Sequence, residues 1–217
     1  MSIASKLTTI GIIAFSIAIG FLSFYLFSNN DLTKDQKKKH IEEIMSHLIN
    51  FIIFIWVGKI VLNLTIFISD PLSILAYPSN SKAFYFATVL TAILLLYKSK
   101  RKNMMVLPLL ESFVHVFLIG SFVYEFIQFV IEDNRFAFGN LILIALLIGL
   151  YFFLRERMKV RMLLMVMVTA WSIGMILLGI IQPFVTVFGY IMAPWFVGVF
   201  FITCVISLAY KIRKWDA

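Results

Sequence analysis

The chain has 217 residues, 62% of them hydrophobic and 14% charged, with a mean hydropathy of +0.99. That composition leaves too little polar surface to cover a water-soluble globule, and it places the chain among integral membrane proteins. A formal charge of +8 would suggest nucleic acid in a soluble protein, but these basic residues flank apolar blocks, where they meet anionic headgroups, so nucleic-acid binding is not expected.

Seven apolar blocks follow one another, each near the length of about 20 helical residues that a hydrocarbon core demands. They run over 7–27, 44–68, 84–97, 106–131, 139–154, 162–181 and 188–210. The expectation is an all-α polytopic membrane bundle, a single integral domain over residues 1–217. The first block reads as an uncleaved span and not a signal peptide, because it ends in the bulky stretch FLSFYLFS and the positive charge after it exceeds that before it. Fifteen of the nineteen Lys and Arg residues fall into four runs: Lys34 with Lys37 to Lys39; Lys98 with Lys100 to Lys102; Arg155, Arg157, Lys159 and Arg161; and Lys211, Arg213 and Lys214. Cytoplasmic loops retain such charge, so all four belong on one side. The N-terminus is then outside, with only Lys6, Lys82 and Arg135 as external basic residues, and the C-terminus is cytoplasmic.

Two connections break the helical pattern. The external segment 69–81 holds Pro71 and Pro78 and cannot continue either neighbour. Its Leu72, Ile74, Leu75 and Tyr77 suggest a path along the membrane surface. Gln182-Pro183, Gly189 and Pro194 interrupt the path between the last two blocks. Cys204 lies inside the last block as a small packing residue, and the sequon Asn63-Leu64-Thr65 lies inside the second, out of reach of glycosylation.

Ionisable groups inside spans are the functional candidates, since each costs roughly 2.5–3.5 kcal/mol to insert unless paired or hydrated. Lys59 stands in the second block, with Asn63 one turn on. In the fourth, Glu111, His115 and Glu125 recur on one helical stripe, with Glu111 and His115 near the cytoplasmic end. A rise of about 1.5 Å per residue puts Glu125 and Lys59 at similar depth, able to form an ion pair that is either a structural staple or a site. His40, Glu43 and His47 share a helix face, but two histidines seven apart lack zincin geometry, and no metal or other cofactor is expected. The sequence shows no GxSxG elbow and no external Cys-His pair, and the last block lacks the lysine of a retinal pigment.

Several strings resemble the prolipoprotein diacylglyceryl transferases, bacterial enzymes that move diacylglyceryl from phosphatidylglycerol to a lipobox cysteine. LINFIIFIWVGKIVLNLTIF, from Leu48, is similar to that family's second span, with Gly58-Lys59 at its Gly-Arg pair. DPLSILAYPSNSKAFYFATVL, from Asp70, resembles the loop bearing the family's Ser-Phe-His-Gly-Gly element, with Phe84 at the Phe. KRKNMMVLPLLESFVHVFLIGSFVYEF, from Lys100, resembles the span with the Gly-Arg-Ile-Gly-Asn-Phe signature, with Ile119 to Phe122 at its last four positions. The resemblance implies a seven-span scaffold in a bacterial plasma membrane. The departures fall at the family's chemistry: Tyr85 stands for its histidine, Phe86 and Ala87 for its glycines, Leu118 for its arginine and Ser121 for its asparagine, and the sixth block lacks the family's arginine and glutamate. Holding an anionic headgroup and activating a thiol require cations and a proton acceptor. The resulting expectation is a non-catalytic component that binds membrane phospholipid or a second membrane protein. The alternatives are an active lipid-headgroup or acyl transferase using Lys59, Tyr85 and Glu125, and a small transporter with Lys59 and Glu125 on its pathway.

Overall fold

Uninterrupted runs of Leu, Ile, Phe and Val favour helices that satisfy every backbone group within the segment, as a hydrocarbon layer requires. The computed structural model describes residues 3–28, 32–72, 80–102 and 106–215. It contains α1 (Ile3–Phe27), α2 (Lys34–Leu62), α3 (Leu64–Ser69), α4 (Ser81–Lys102), α5 (Val106–Val130), α6 (Ala137–Arg155), α7 (Val160–Ile181) and α8 (Pro194–Trp215). A two-stranded antiparallel ribbon, β1 (Thr186–Val187) and β2 (Tyr190–Ile191), stands between α7 and α8. Among the described residues six helices, α1, α2 and α4 to α7, are long and apolar enough to cross a membrane; α8 carries a shorter apolar stretch, Pro194–Leu208. Their exposed side chains are those a lipid phase accepts: Ile142, Leu146 and Phe153 on α6 and Ile173, Leu177 and Ile180 on α7 all face outward.

Two expected blocks are corrected. The second, 44–68, is not one helix: it breaks at Asn63, whose φ of −129° and ψ of 40° lie outside the helical well. The Asn63 side chain donates to the Lys59 carbonyl at 2.8 Å, a local hydrogen bond that competes with helix continuation. The last block does not start at 188, because residues 186–191 form the ribbon and the helix begins at Pro194, where a missing N–H is harmless. The surface path expected for Ile74, Leu75 and Tyr77 lies outside the described residues.

The chain divides into two compact units, residues 34–109 and residues 1–33 with 110–217. In the smaller, α2 packs along α4. Gly58 allows this approach: a Cβ there would stand 3.3 Å from the Ala83 backbone and 3.0 Å from the Phe86 ring. Phe51 meets Phe84 edge-on at 5.2 Å. Asn80 caps α4, its Oδ1 accepting from the Ala83 amide at 2.9 Å.

In the larger unit α1 and α5 run antiparallel in close contact. A Cβ on Gly20 would stand 2.5 Å from the Val116 carbonyl oxygen, and one on Gly120 3.3 Å from that of Ser16. Leu118 of α5 joins Ile144, Leu147 and Tyr151 of α6 and Leu163 and Met167 of α7 in one buried apolar cluster. This cluster separates two polar regions on the buried face of α5.

Candidate functional site

Three side chains on the stripe of α5 are buried or nearly so, and the larger unit treats its two ends differently. Near the start of α5, Glu111 Oε1 lies 3.6 Å from Arg155 Nε, with both side chains largely covered. Arg155 also donates through Nη1 to the Phe27 carbonyl at 3.2 Å, satisfying an otherwise free acceptor at the end of α1. His115, 1% exposed, shares a 3.1 Å hydrogen bond between Nε2 and Ser23 Oγ, and the rings of Phe24, Tyr151 and Phe152 surround its imidazole edge-on. Glu111 therefore meets a cation, Arg155, that belongs to one of the four basic runs.

Toward the other end of α5, a pocket forms wholly within the same unit. Ser121 and Glu125 of α5, Asn140 of α6 and Thr186 of β1 are its polar lining; Phe117, Ile144, Trp171, Met175 and Phe188 are among its apolar walls. Glu125 is 4% exposed, Asn140 5% and Ser121 7%. The Asn140 amide group lines the pocket with the Glu125 carboxylate and donates through Nδ2 to Thr186 Oγ1 at 3.4 Å. Ser121 Oγ and Asn140 Oδ1 are buried without a hydrogen-bond partner among the described residues. The cavity volume is about 10 Å³, room for about one water or one bare ion.

The ribbon supplies one wall. Val187 pairs with Tyr190 across a two-residue turn in which Phe188 (φ 48°) and Gly189 (φ 82°) are both left-handed, the signature of a type I′ hairpin. Glycine takes that conformation freely, whereas phenylalanine does so under strain. Ring contacts hold Phe188 there, with Tyr124 at 5.3 Å and Phe117 at 6.0 Å. A Cβ on Gly189 would come 3.0 Å from the Tyr124 hydroxyl, so the turn seats directly on α5.

The remaining candidates belong to the smaller unit. Lys59 is 3% exposed, with its Nζ 4.6 Å above the Trp56 ring. Asn63 marks the break between α2 and α3, and Tyr85 stands half-buried on α4. The ion pair expected between Lys59 and Glu125 would join the two units. Sequence reasoning missed Asn140 and Thr186. An amide inside an apolar block was the available sign of the first; Thr-Val-Phe-Gly-Tyr-Ile, β-formers around a Phe-Gly turn, was that of the second. Compared with models of known protein families, with curated proteins and with solved structures, the chain matches none.

Proposed function

We propose that the chain is a seven-span protein of a bacterial plasma membrane, N-terminus outside and C-terminus cytoplasmic, in which α8 is the seventh span. On this reading it is a non-catalytic member of a diacylglyceryl transferase-like scaffold and holds a phospholipid or a membrane-protein partner. The observation that carries the non-catalytic reading is Leu118. At the position where the resemblance places the signature arginine, this chain has a leucine that is 3% exposed and packed among Ile144, Leu147 and Met167. An anionic headgroup needs preorganised cations, and this position offers an apolar core instead. Ser121, at the signature asparagine, lines a pocket whose only charged side chain among the described residues is the carboxylate of Glu125, the wrong sign for phosphatidylglycerol.

The test is expression in cells depleted of their own diacylglyceryl transferase. Lipoproteins are expected to stay unmodified although the protein reaches the membrane. Restored modification would overturn the reading in favour of an active transferase built on Lys59, Tyr85 and Glu125.

A further inference from the structure

Glu125 poses a problem of charge balance. A buried carboxylate costs several kcal/mol unless a counter-charge or several hydrogen bonds compensate it. Among the described residues the pocket lining holds no basic side chain, and a single amide group, that of Asn140, lines it with the carboxylate. Beside it, Ser121 Oγ and Asn140 Oδ1 are buried oxygens without partners, while Thr186 Oγ1 accepts one long bond. Buried polar atoms are ordinarily satisfied; the Ser121 and Thr186 hydroxyls can donate as well as accept, whereas Asn140 Oδ1 can only accept, so these oxygens have lone pairs left for a bound group that carries positive charge.

We infer that this pocket is a binding site for one monovalent hard cation, held by the Glu125 carboxylate together with Ser121 Oγ, Asn140 Oδ1 and Thr186 Oγ1. Oxygen-only donors select hard ions. The charge of the set fixes the valence: one carboxylate and three neutral oxygens are neutralised by a single positive charge, whereas a divalent ion would leave a net charge buried. Among the described residues no group of three His, Cys, Asp or Glu side chains is placed to hold a metal ion, which also disfavours a divalent site. Size excludes organic cations, because about 10 Å³ admits a bare ion and not an ammonium headgroup.

The site spans three elements. Ser121 and Glu125 come from α5, Asn140 from the first turn of α6, and Thr186 from the ribbon, whose strained Phe188 packs on α5 beside them. Backbone strain of this kind persists where surrounding contacts over-determine it, and it is found at ligand clamps. Binding an ion between α5, α6 and β1 would therefore fasten the ribbon to the helices, so occupancy should be readable as stability of the whole unit.

The inference is independent of the lipid- or partner-holding reading, which the transferase-depleted cells test on their own. The full chain, purified in detergent, is titrated with sodium chloride against choline chloride at constant ionic strength, and thermal unfolding is followed. The midpoint should rise saturably with sodium, following the linkage expected for a ligand that binds only the folded state. Thr186→Val and Ser121→Ala keep the carboxylate and should each weaken the apparent affinity about tenfold, the loss of one contact to a charged group. Glu125→Gln should abolish the response. A midpoint indifferent to sodium would mean that the pocket holds water or a protonated carboxyl, and would sink the inference. A sodium response that persists unchanged in Thr186→Val and Glu125→Gln would place the ion elsewhere and sink it equally.

Discussion

The two ends of helix α5 bury ionisable side chains in opposite ways. Near Glu111 and His115 the larger unit supplies a counter-charge, Arg155 for the carboxylate, with Ser23 for one imidazole nitrogen and three aromatic rings around it, although His115 Nδ1 and Arg155 Nε have no hydrogen-bond partner among the described residues. Near Glu125 the described lining of the pocket supplies an amide and hydroxyls and no cation, and Ser121 Oγ and Asn140 Oδ1 are without partners there. A buried charge with its counter-charge already in place is a staple, while one surrounded by unspent lone pairs is a receptor. The difference teaches that burial alone does not mark a site; what matters is whether the neighbours complement the charge or share its need.

Breaking the paired end should give the largest effect. Arg155→Met removes the counter-charge of Glu111 and the donor to the Phe27 carbonyl, and should cost about 3–5 kcal/mol in detergent unfolding, as for other broken buried pairs. The double variant Arg155→Met with Glu111→Gln should recover much of that loss, because no uncompensated carboxylate remains. If the double variant is no better than Arg155→Met alone, the pair is not a staple and the contrast between the two ends fails.

A smaller effect decides what balances Glu125. The sequence alone favours a pair with Lys59, for which the double variant Lys59→Met with Glu125→Gln would regain most of what either single change loses. A cation bound at Glu125 predicts independence, with a coupling within about 0.5 kcal/mol, the range for sites that do not share partners. Unfolding of the wild type, both single variants and the double variant measures this directly. A coupling of several kcal/mol would make the Glu125 end a paired end like the other.

The least perturbing experiment assigns each end of α5 to a side of the membrane. In a Cys204→Ser background, a cysteine at Asn134 should react with an impermeant thiol reagent in intact cells, and one at Ser28 should not. The reverse pattern would invert the orientation read from the basic runs, and with it the placement of the Glu125 pocket toward the outside.

Much of this architecture was legible in the chain. The apolar blocks gave α1 and α4 to α7 within a few residues, since length and hydropathy are local properties that lipid reads directly. The stripe of Glu111, His115 and Glu125 was visible from helical periodicity, and all three prove covered or nearly so. The break after Gln182 was signalled by Pro183, Gly189 and Pro194. Its shape was not: Phe188 counted as one more apolar residue of a span, whereas it sits in the turn of a hairpin because α5 offers Tyr124 and Phe117 to hold it. The break in the second block at Asn63 was likewise hidden, since an amide's choice between solvation and its own backbone carbonyl is made only in place.

The sequence by itself determined the multi-pass membrane character of this protein and most of the apolar helices, because these follow from the transfer energies of residues near one another in the chain. Only the tertiary structure decided which of the buried charges is satisfied. Arg155 reaches Glu111 across forty-four positions, and Asn140 and Thr186 converge on Glu125 from two further elements. Whether a buried group finds a partner is a property of the packed helices, and no local pattern encodes it.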